Sequence, residues 1–311
     1  MDSEDNITWE EIDYPKKPKL EQFETKDSII KSLLSLFIFM ITFYIVFQRW
    51  DYVIMISLVL IVHEMGHFTF MKKYGYRQMS MRFIPFMGAY VSGTKSPISQ
   101  REQANILLAG PVPGILIGIA LYYIAIETEH SAFLVLSKIF IFINAFNLLP
   151  IAPMDGGKLV QNLFFSSHEK LQSIFSLISI IALTALCIQF ESYIFLIIPG
   201  LMYLGHRAAQ KSIRLRQQMQ LEGLNYKTTY KDLKDAEYWK MRDFIIYHCP
   251  EFSDLETGSY RISSIEGHMI SKIRTLLVQA PINDINFLLK TSYLLIWISL
   301  AIGPFLLLKL F

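Results

Sequence analysis

Residues 52–71 read YVIMISLVLIVHEMGHFTFM. At ~1.5 Å per residue, a helix of about 20 residues crosses the roughly 30 Å hydrocarbon core of a bilayer. The run is therefore read as a membrane span, and its polar content is the anomaly. His63, Glu64 and His67 are costly to place among lipid tails, and ionisable groups inside a span mark function by default. On a helix His63 and His67 stand at i and i+4, so both imidazoles leave one face. That spacing suits two ligands of one zinc ion, with Glu64 between them free to act as a general base toward water. The bland alternative is a pair of polar residues that pack against neighbouring helices.

The rest of the chain agrees with a membrane setting. Of 311 residues, 52% are hydrophobic and 18% charged, too apolar for an ordinary soluble domain. The apolar residues come in blocks rather than at amphipathic spacing. This predicts an all-α polytopic membrane protein with about six to seven transmembrane helices, a membrane-dipping loop and a small soluble segment. The short alternating strands of a β-barrel are missing from the sequence. A net charge of +2 gives no reason to expect nucleic acid as a partner. Cys187 and Cys249 have no metal or redox spacing, and they read as one buried apolar thiol and one loop thiol.

In chain order, residues 1–27 are polar, lack a cleavable signal pattern and read as a loosely attached cytoplasmic tail. Residues 28–206 form the membrane core. Its spans are 28–47, 52–71, 105–126, 132–149 and 171–188. Residues 193–204 are interrupted by Pro199 and Gly200 and are either a sixth span or one arm of a re-entrant hairpin. Residues 207–290 form a soluble cytoplasmic segment that opens with a basic, helix-like stretch. Residues 291–311 hold the last span, with a kink expected at Gly303 and Pro304. Between the second and third spans, Arg82 to Gly93 is apolar but too short to cross, and it reads as an extended, membrane-dipping loop.

Charge orients the chain. With the N-terminus inside, Lys72, Lys73, Arg77, Arg82, Lys95, Arg101, Lys158, Lys170, Arg207, Lys211, Arg214 and Arg216 all fall in inside loops. His63, His67 and Asp155 then lie toward the cytoplasmic half of the bilayer. The compact size points to a bacterial cytoplasmic membrane.

Two histidines leave a catalytic zinc one protein ligand short. Asp155 is the best candidate for the third, because it stands at the inside end of an apolar span, level with the histidines. Pro150 and Pro153 force non-helical backbone there, and such backbone at membrane depth lines a cavity. A helix cap is the alternative role for Asp155. Asn147, on the approach to that turn, offers an amide that can steady a developing oxyanion or orient water.

These stretches resemble the site-2 protease family of intramembrane zinc proteases. The resemblance is carried by His63-Glu64-Met65-Gly66-His67 with the following Lys-Tyr-Gly-Tyr, by Ile84 to Ala89, by Ala109-Gly110-Pro111, and by Asn147 to Gly157, which fits the pattern NxxPxxPxDGG. It covers roughly residues 53–165. It implies one zinc per chain bound by His63, His67 and Asp155, with Glu64 as general base and Asn147 assisting. The loop from Pro85 to Val91 would correspond to the family's membrane-dipping strand beside the active site. The added PDZ or CBS module of many family members has no counterpart pattern in residues 207–289.

The expected activity is hydrolysis of peptide bonds in or near transmembrane segments, with a membrane-protein substrate and the lipid bilayer as partners. An extended edge at Met87, Gly88, Ala89 and Tyr90 is expected to hold the unwound substrate by strand addition. Two rivals are a metal-ion transporter and an inactive relative that binds membrane helices without cutting them. A transporter needs polar residues along several spans, whereas here they cluster at one depth. Retention of both histidines, Glu64 and Asp155 weighs against the inactive relative.

Overall fold

A computed structural model of the chain describes residues 14–19, 29–85, 88–279 and 281–308. The chain divides into two compact units. The membrane unit takes Lys26–Gln210 and Ala280–Phe311, and the second unit takes Lys211–Gln279 with the N-terminal residues.

The membrane unit opens with a helical hairpin, α1 (Ile29–Phe47) and α2 (Trp50–Lys73). Arg49 closes the turn between them by pairing with Asp51 at 2.5 Å. Next come β1 (Arg77–Ile84) and β2 (Gly88–Thr94), which pair antiparallel with Arg82 opposite Tyr90 and Phe83 opposite Ala89. This corrects the all-α class, and the stretch read as an extended, membrane-dipping loop is a paired hairpin. Backbone N–H and C=O groups near lipid must be paired within the protein, and a hairpin pairs them where a loop does not. The outer edge of β1 faces α1, where the Phe83 N–H donates to Ser35 Oγ at 3.1 Å. Phe83 packs there with Phe39 and Leu60.

The third predicted span is two helices, α3 (Gln100–Ala109) and α4 (Pro111–Thr128), broken at Gly110. Ser99 caps α3 by accepting from the Glu102 N–H at 3.1 Å. The same serine bridges Ile282, and the Gln100 N–H donates to the Ile282 carbonyl at 3.0 Å. α5 (Ser131–Asn147) packs antiparallel on α4. The contact is close because Gly118 has no side chain, and Ser137 Oγ donates to the Gly118 carbonyl at 2.7 Å. After a turn, α6 (Asp155–Val160) runs on as a π-helical turn to Phe165, and α7 (Glu169–Gln189) follows.

Residues 193–204 do not reverse direction at Pro199 and Gly200. A 3-10 turn, Tyr193–Leu196, leads into α8 (Ile197–Leu221), one continuous helix of 25 residues. The last helix, α11 (Phe287–Leu308), is continuous through Pro304. Among the described residues, five helical stretches are long and apolar enough to cross a membrane: α1, α2, α3 with α4, α7 and α11. α5 is apolar but shorter, at 17 residues.

In the second unit, α9 (Asp235–His248), α10 (Glu266–Leu276) and the last turns of α8 enclose a core that includes Leu215, Met219, Trp239, Phe244, Met269 and Ile273. Arg242 and Glu266 are buried together, 3.4 Å apart, with Tyr238 donating to the same carboxylate. Arg242 also donates to the carbonyls of Ser259 and Arg261 at 3.2 and 3.4 Å. Cys249 is fully buried in this core, which corrects its reading as a loop thiol. Residues 14–19 pack against α9 and the turn before it. The loosely attached tail of the sequence reading is thus docked over that stretch.

The α4–α5 contact makes a direct prediction. A Cβ at Gly118 would lie 2.7 Å from Ile141 Cγ1, whereas one at Gly303 in α11 meets nothing within 4 Å. Gly118→Val should lower stability by the ~1–3 kcal/mol typical of overpacking, and Gly303→Ala should leave it nearly unchanged. Thermal unfolding of both variants in detergent checks this, and equal midpoints would contradict the packing described.

Candidate metal centre

The site is built from three helices and one turn. α2 supplies His63 and His67, both buried, from one face. Asp155, also buried, is the first residue of α6. His63 Nε2 lies 3.0 Å from Asp155 Oδ2, His67 Nε2 lies 3.1 Å from the same oxygen, and the two Nε2 atoms are 3.1 Å apart. The capping alternative does not describe Asp155. Met154 occupies the cap position without a side-chain bond, and the Asp155 carboxylate turns to the histidines. Its other oxygen is 3.6 Å from Lys158 Nζ.

The far nitrogens of the two rings decide where the protons sit. His67 Nδ1 lies 2.7 Å from the Ile106 carbonyl, which can only accept, so Nδ1 carries the hydrogen. His63 Nδ1 lies 2.8 Å from Asn144 Oδ1. The Asn144 amide is oriented by its own Nδ2, which donates to the Phe140 carbonyl at 2.8 Å, so His63 Nδ1 is also the donor. When both rings are neutral, both Nε2 lone pairs face Asp155 Oδ2. Three acceptors about 3 Å apart, with no proton between them, repel one another unless a cation sits among them. A tetrahedral zinc with ligands at about 2.0–2.1 Å sets its ligand atoms roughly 3.3–3.4 Å apart, close to the spacing found. The donor set, its geometry and its burial all fit a zinc ion.

Close helix approach makes the cluster feasible. A Cβ on Gly110, at the break between α3 and α4, would fall 2.3 Å from His67 Nε2 and 2.9 Å from His63 Nε2. The break also places Ile106 among the last four carbonyls of α3, which lack helical partners and are open to His67. The turn before Asp155 is tied from two further helices. Trp297 of α11 donates to the Leu148 carbonyl at 2.7 Å, and Ser179 of α7 accepts from the Ala152 N–H at 3.1 Å.

Glu64 is 4% exposed, and its Oε2 has no hydrogen-bond partner among the described residues. Asn147 ends α5 half-buried, and its amide donates to the Ile143 carbonyl of its own helix at 3.2 Å. Among the described contacts it does not touch His63, His67 or Asp155. Gly88, Ala89 and Tyr90 lie on β2, opposite Ile84, Phe83 and Arg82. Met87 lies outside the described residues. Sequence reasoning missed Asn144, the residue that fixes His63. The signal was available, since an asparagine deep in an apolar span raises the same question as the histidines. Trp297 and Ser179 carry no comparable signal.

Known proteins share this arrangement in part. The pattern of peptidase family M50 matches residues 51–132, a stretch that holds His63, Glu64, His67 and Gly110 but stops short of Asn144 and Asp155. A zinc metalloprotease of Methanocaldococcus jannaschii is 26% identical over 125 residues, 39% of this chain and 36% of that protein. Stage IV sporulation protein FB of Bacillus subtilis is 30% identical over 114 residues, 34% of this chain and 38% of that protein. The alignments thus span little more than a third of either relative. A solved site-2 protease from Methanocaldococcus jannaschii superposes with a TM-score of 0.44 at 21% identity, over 58% of this chain and 88% of that one. The matched sequence bears out the resemblance read from the motifs: residues 51–132, which carry both histidines, are similar in sequence to peptidase family M50.

Proposed function

We propose that this protein is an intramembrane zinc metalloprotease that hydrolyses peptide bonds in or near transmembrane segments of membrane proteins. The observation that carries this reading is the convergence of His63 Nε2, His67 Nε2 and Asp155 Oδ2 beside a buried carboxylate, Glu64, with a free oxygen. The match of residues 51–132 to a peptidase family supports it.

The three residues would hold one zinc per chain, which when bound polarises the scissile carbonyl and lowers the pKa of water. Ile106 and Asn144 hold the imidazoles so that their lone pairs stay directed inward. Glu64 takes the proton from the attacking water and passes it to the leaving amine. Its free oxygen suits that work, and its position about 100° from His63 around α2 keeps it out of the ligand set. Asn147 assists through its amide, as the donor that steadies the developing oxyanion. A substrate helix must unwind before its carbonyls are open to attack, and the freed backbone groups then need partners. The edge of β2 at Gly88, Ala89 and Tyr90 supplies them by strand addition. Support for this comes from the sheet order, since β2 pairs only with β1 among the described strands.

The proposed topology has seven crossings, with the N-terminus and the site toward the cytoplasm. Two within-unit contacts support the count. Ser99 and Ile282 are bonded, so they share one side of the membrane. Between them α3 with α4, α5 and α7 make three crossings, and the parity needs a fourth, which only the apolar start of α8 can provide. A helix of 25 residues is ~37 Å long, enough to cross and still present its basic end to water. Lys17 and Asp235 are likewise bonded, and six crossings separate them on the same count. α11 then carries the chain to the far side.

Three outcomes are expected. Glu64→Gln should keep stoichiometric zinc by elemental analysis while cleavage of a tagged single-span substrate in liposomes falls by ~10²–10⁴-fold. Asp155→Asn should lose zinc and cleavage together, and undiminished cleavage by Glu64→Gln would remove the mechanism. Asn144→Leu should weaken zinc affinity by ~10–100-fold in chelator competition, because the His63 ring loses its acceptor, while Asn144→Asp should retain it. For topology, reporters fused near Gly258 and after Phe311 should report opposite compartments, and agreement between them would refute the seven-crossing count.

A further inference from the structure

The second unit holds a feature that the metal chemistry does not use. Residues 14–19, Tyr-Pro-Lys-Lys-Pro-Lys, lie extended against α9 and the turn that precedes it, without helix or strand of their own. Trp239 Nε1 donates to the Pro15 carbonyl at 2.6 Å, and the Tyr230 hydroxyl donates to the Pro18 carbonyl at 2.9 Å. Those two carbonyls are three residues apart, the repeat of a polyproline II helix, so one face of the segment is read. Between them the Lys17 N–H donates to Asp235 Oδ1 at 3.0 Å. The Tyr14 ring meets Tyr260 edge-on, with centroids 5.0 Å apart.

The Lys17 side chain enters a cradle made only of acceptors. Its ammonium donates to the carbonyls of Tyr230 (2.8 Å), Lys231 (3.1 Å) and Leu233, and it lies 5.4 Å from the centre of the Tyr230 ring. An ammonium has three hydrogens, and each finds a carbonyl here. Partial burial lowers the pKa of Lys17, and Asp235, Asp232 and Glu237 oppose that shift. Lys16 and Lys19, by contrast, are exposed. The pattern recognised is thus Pro-x-Lys-Pro, with one lysine read and its neighbours left in water.

The buried hydrophobic cluster of the unit is drawn from residues between Leu215 and Leu276; Tyr14 packs against it, and Pro18 is buried as well. An aromatic groove beside a carbonyl cradle is how proline-rich peptides are recognised, since a polyproline segment loses little entropy on docking.

We propose that Tyr230, the carbonyls of residues 230–233, Asp235 and Trp239 form a recognition site for an extended Pro-x-Lys-Pro peptide. Residues 14–19 are its tethered ligand, and a peptide of the same pattern on another protein binds by displacing them. A tethered ligand competes at an effective concentration of ~mM, so a free peptide binds weakly until the tether is released. The site is independent of the metal centre, so neither proposal stands or falls with the other.

The test uses the folded full chain with a specific protease site inserted between Lys19 and Ile29. After folding and purification, cutting should release the N-terminal fragment on size exclusion. Fluorescein-labelled YPKKPK should then bind the cut protein roughly 10-fold tighter, or more, than the uncut protein by anisotropy. A peptide with norleucine in place of the second lysine, and Asp235→Ala in the cut protein, should each weaken binding about 10-fold or more. A fragment that stays bound against a large excess of labelled peptide overturns the proposal, because the segment is then a fixed part of the unit. Release without uptake of the peptide, or equal binding before and after cutting, overturns it as well. So does undiminished binding of the norleucine peptide, because the cradle then does not read the lysine.

Discussion

A polar group at membrane depth has no water to bond and must find its partner within the protein. Two imidazoles and two carboxylates crowd together at the C-terminal half of α2, and the surrounding architecture can be traced from their needs. One ring nitrogen of each histidine is taken by a neutral acceptor on another helix. That leaves the other nitrogen of each ring as a lone pair, both aimed at one carboxylate oxygen. The arrangement is unfavourable as a set of acceptors and favourable as a set of ligands. The interruption of the third span follows from the same need. A continuous helix would have kept the Ile106 carbonyl within its own ladder, and any residue larger than glycine at position 110 would have filled the space the rings occupy.

Asp155 depends on the most distant parts of the chain. Its turn is held by Trp297 of the last helix and by Ser179 of α7, while Asn144 of α5 holds the histidine it faces. The metal set is therefore a product of helix packing. A disturbance at α11, more than a hundred residues away in sequence, is transmitted to the aspartate through one indole-to-carbonyl bond. The β-hairpin solves a related problem on the other flank of α2. It stays short, pairs its inner backbone groups internally and sets the outer edge of β1 against Ser35, while β2 has no second strand partner among the described residues.

The second unit follows a different physical logic, that of short helices closed around an apolar core of their own. Aromatic and aliphatic side chains from α8, α9 and α10 make its core, and carbonyls and Tyr238 bond the buried Arg242–Glu266 pair, although Arg242 Nε makes no hydrogen bond among the described residues. Such a pair costs more to break than it contributes, because removing one partner leaves a buried charge alone. Docking of residues 14–19 on this unit also bears on topology. A bond between an N-terminal lysine and Asp235 constrains the number of membrane crossings between them to be even.

The long apolar helices, their order and the histidine pair were legible in the sequence, because helix length and i, i+4 spacing are local properties of a helix. Asp155 was legible too, since an acid in a proline-broken stretch at the end of a span is conspicuous. Local pattern carried no such information about the hairpin, where short apolar segments read equally well as loop or strand until a partner strand is found. The same holds for residues 193–204, where proline and glycine suggested an interruption that the helix passes through, and for Cys249, whose burial depends on helices that close over it. The roles of Asn144, Ile106, Ser179 and Trp297 were decided only in the tertiary structure. Each acts through a single hydrogen bond to a residue far along the chain, and only packing determines which distant donor meets which acceptor. Residues 14–19 belong with them: composition describes a solvated basic tail, and three carbonyls arranged around one ammonium make a bound segment of it.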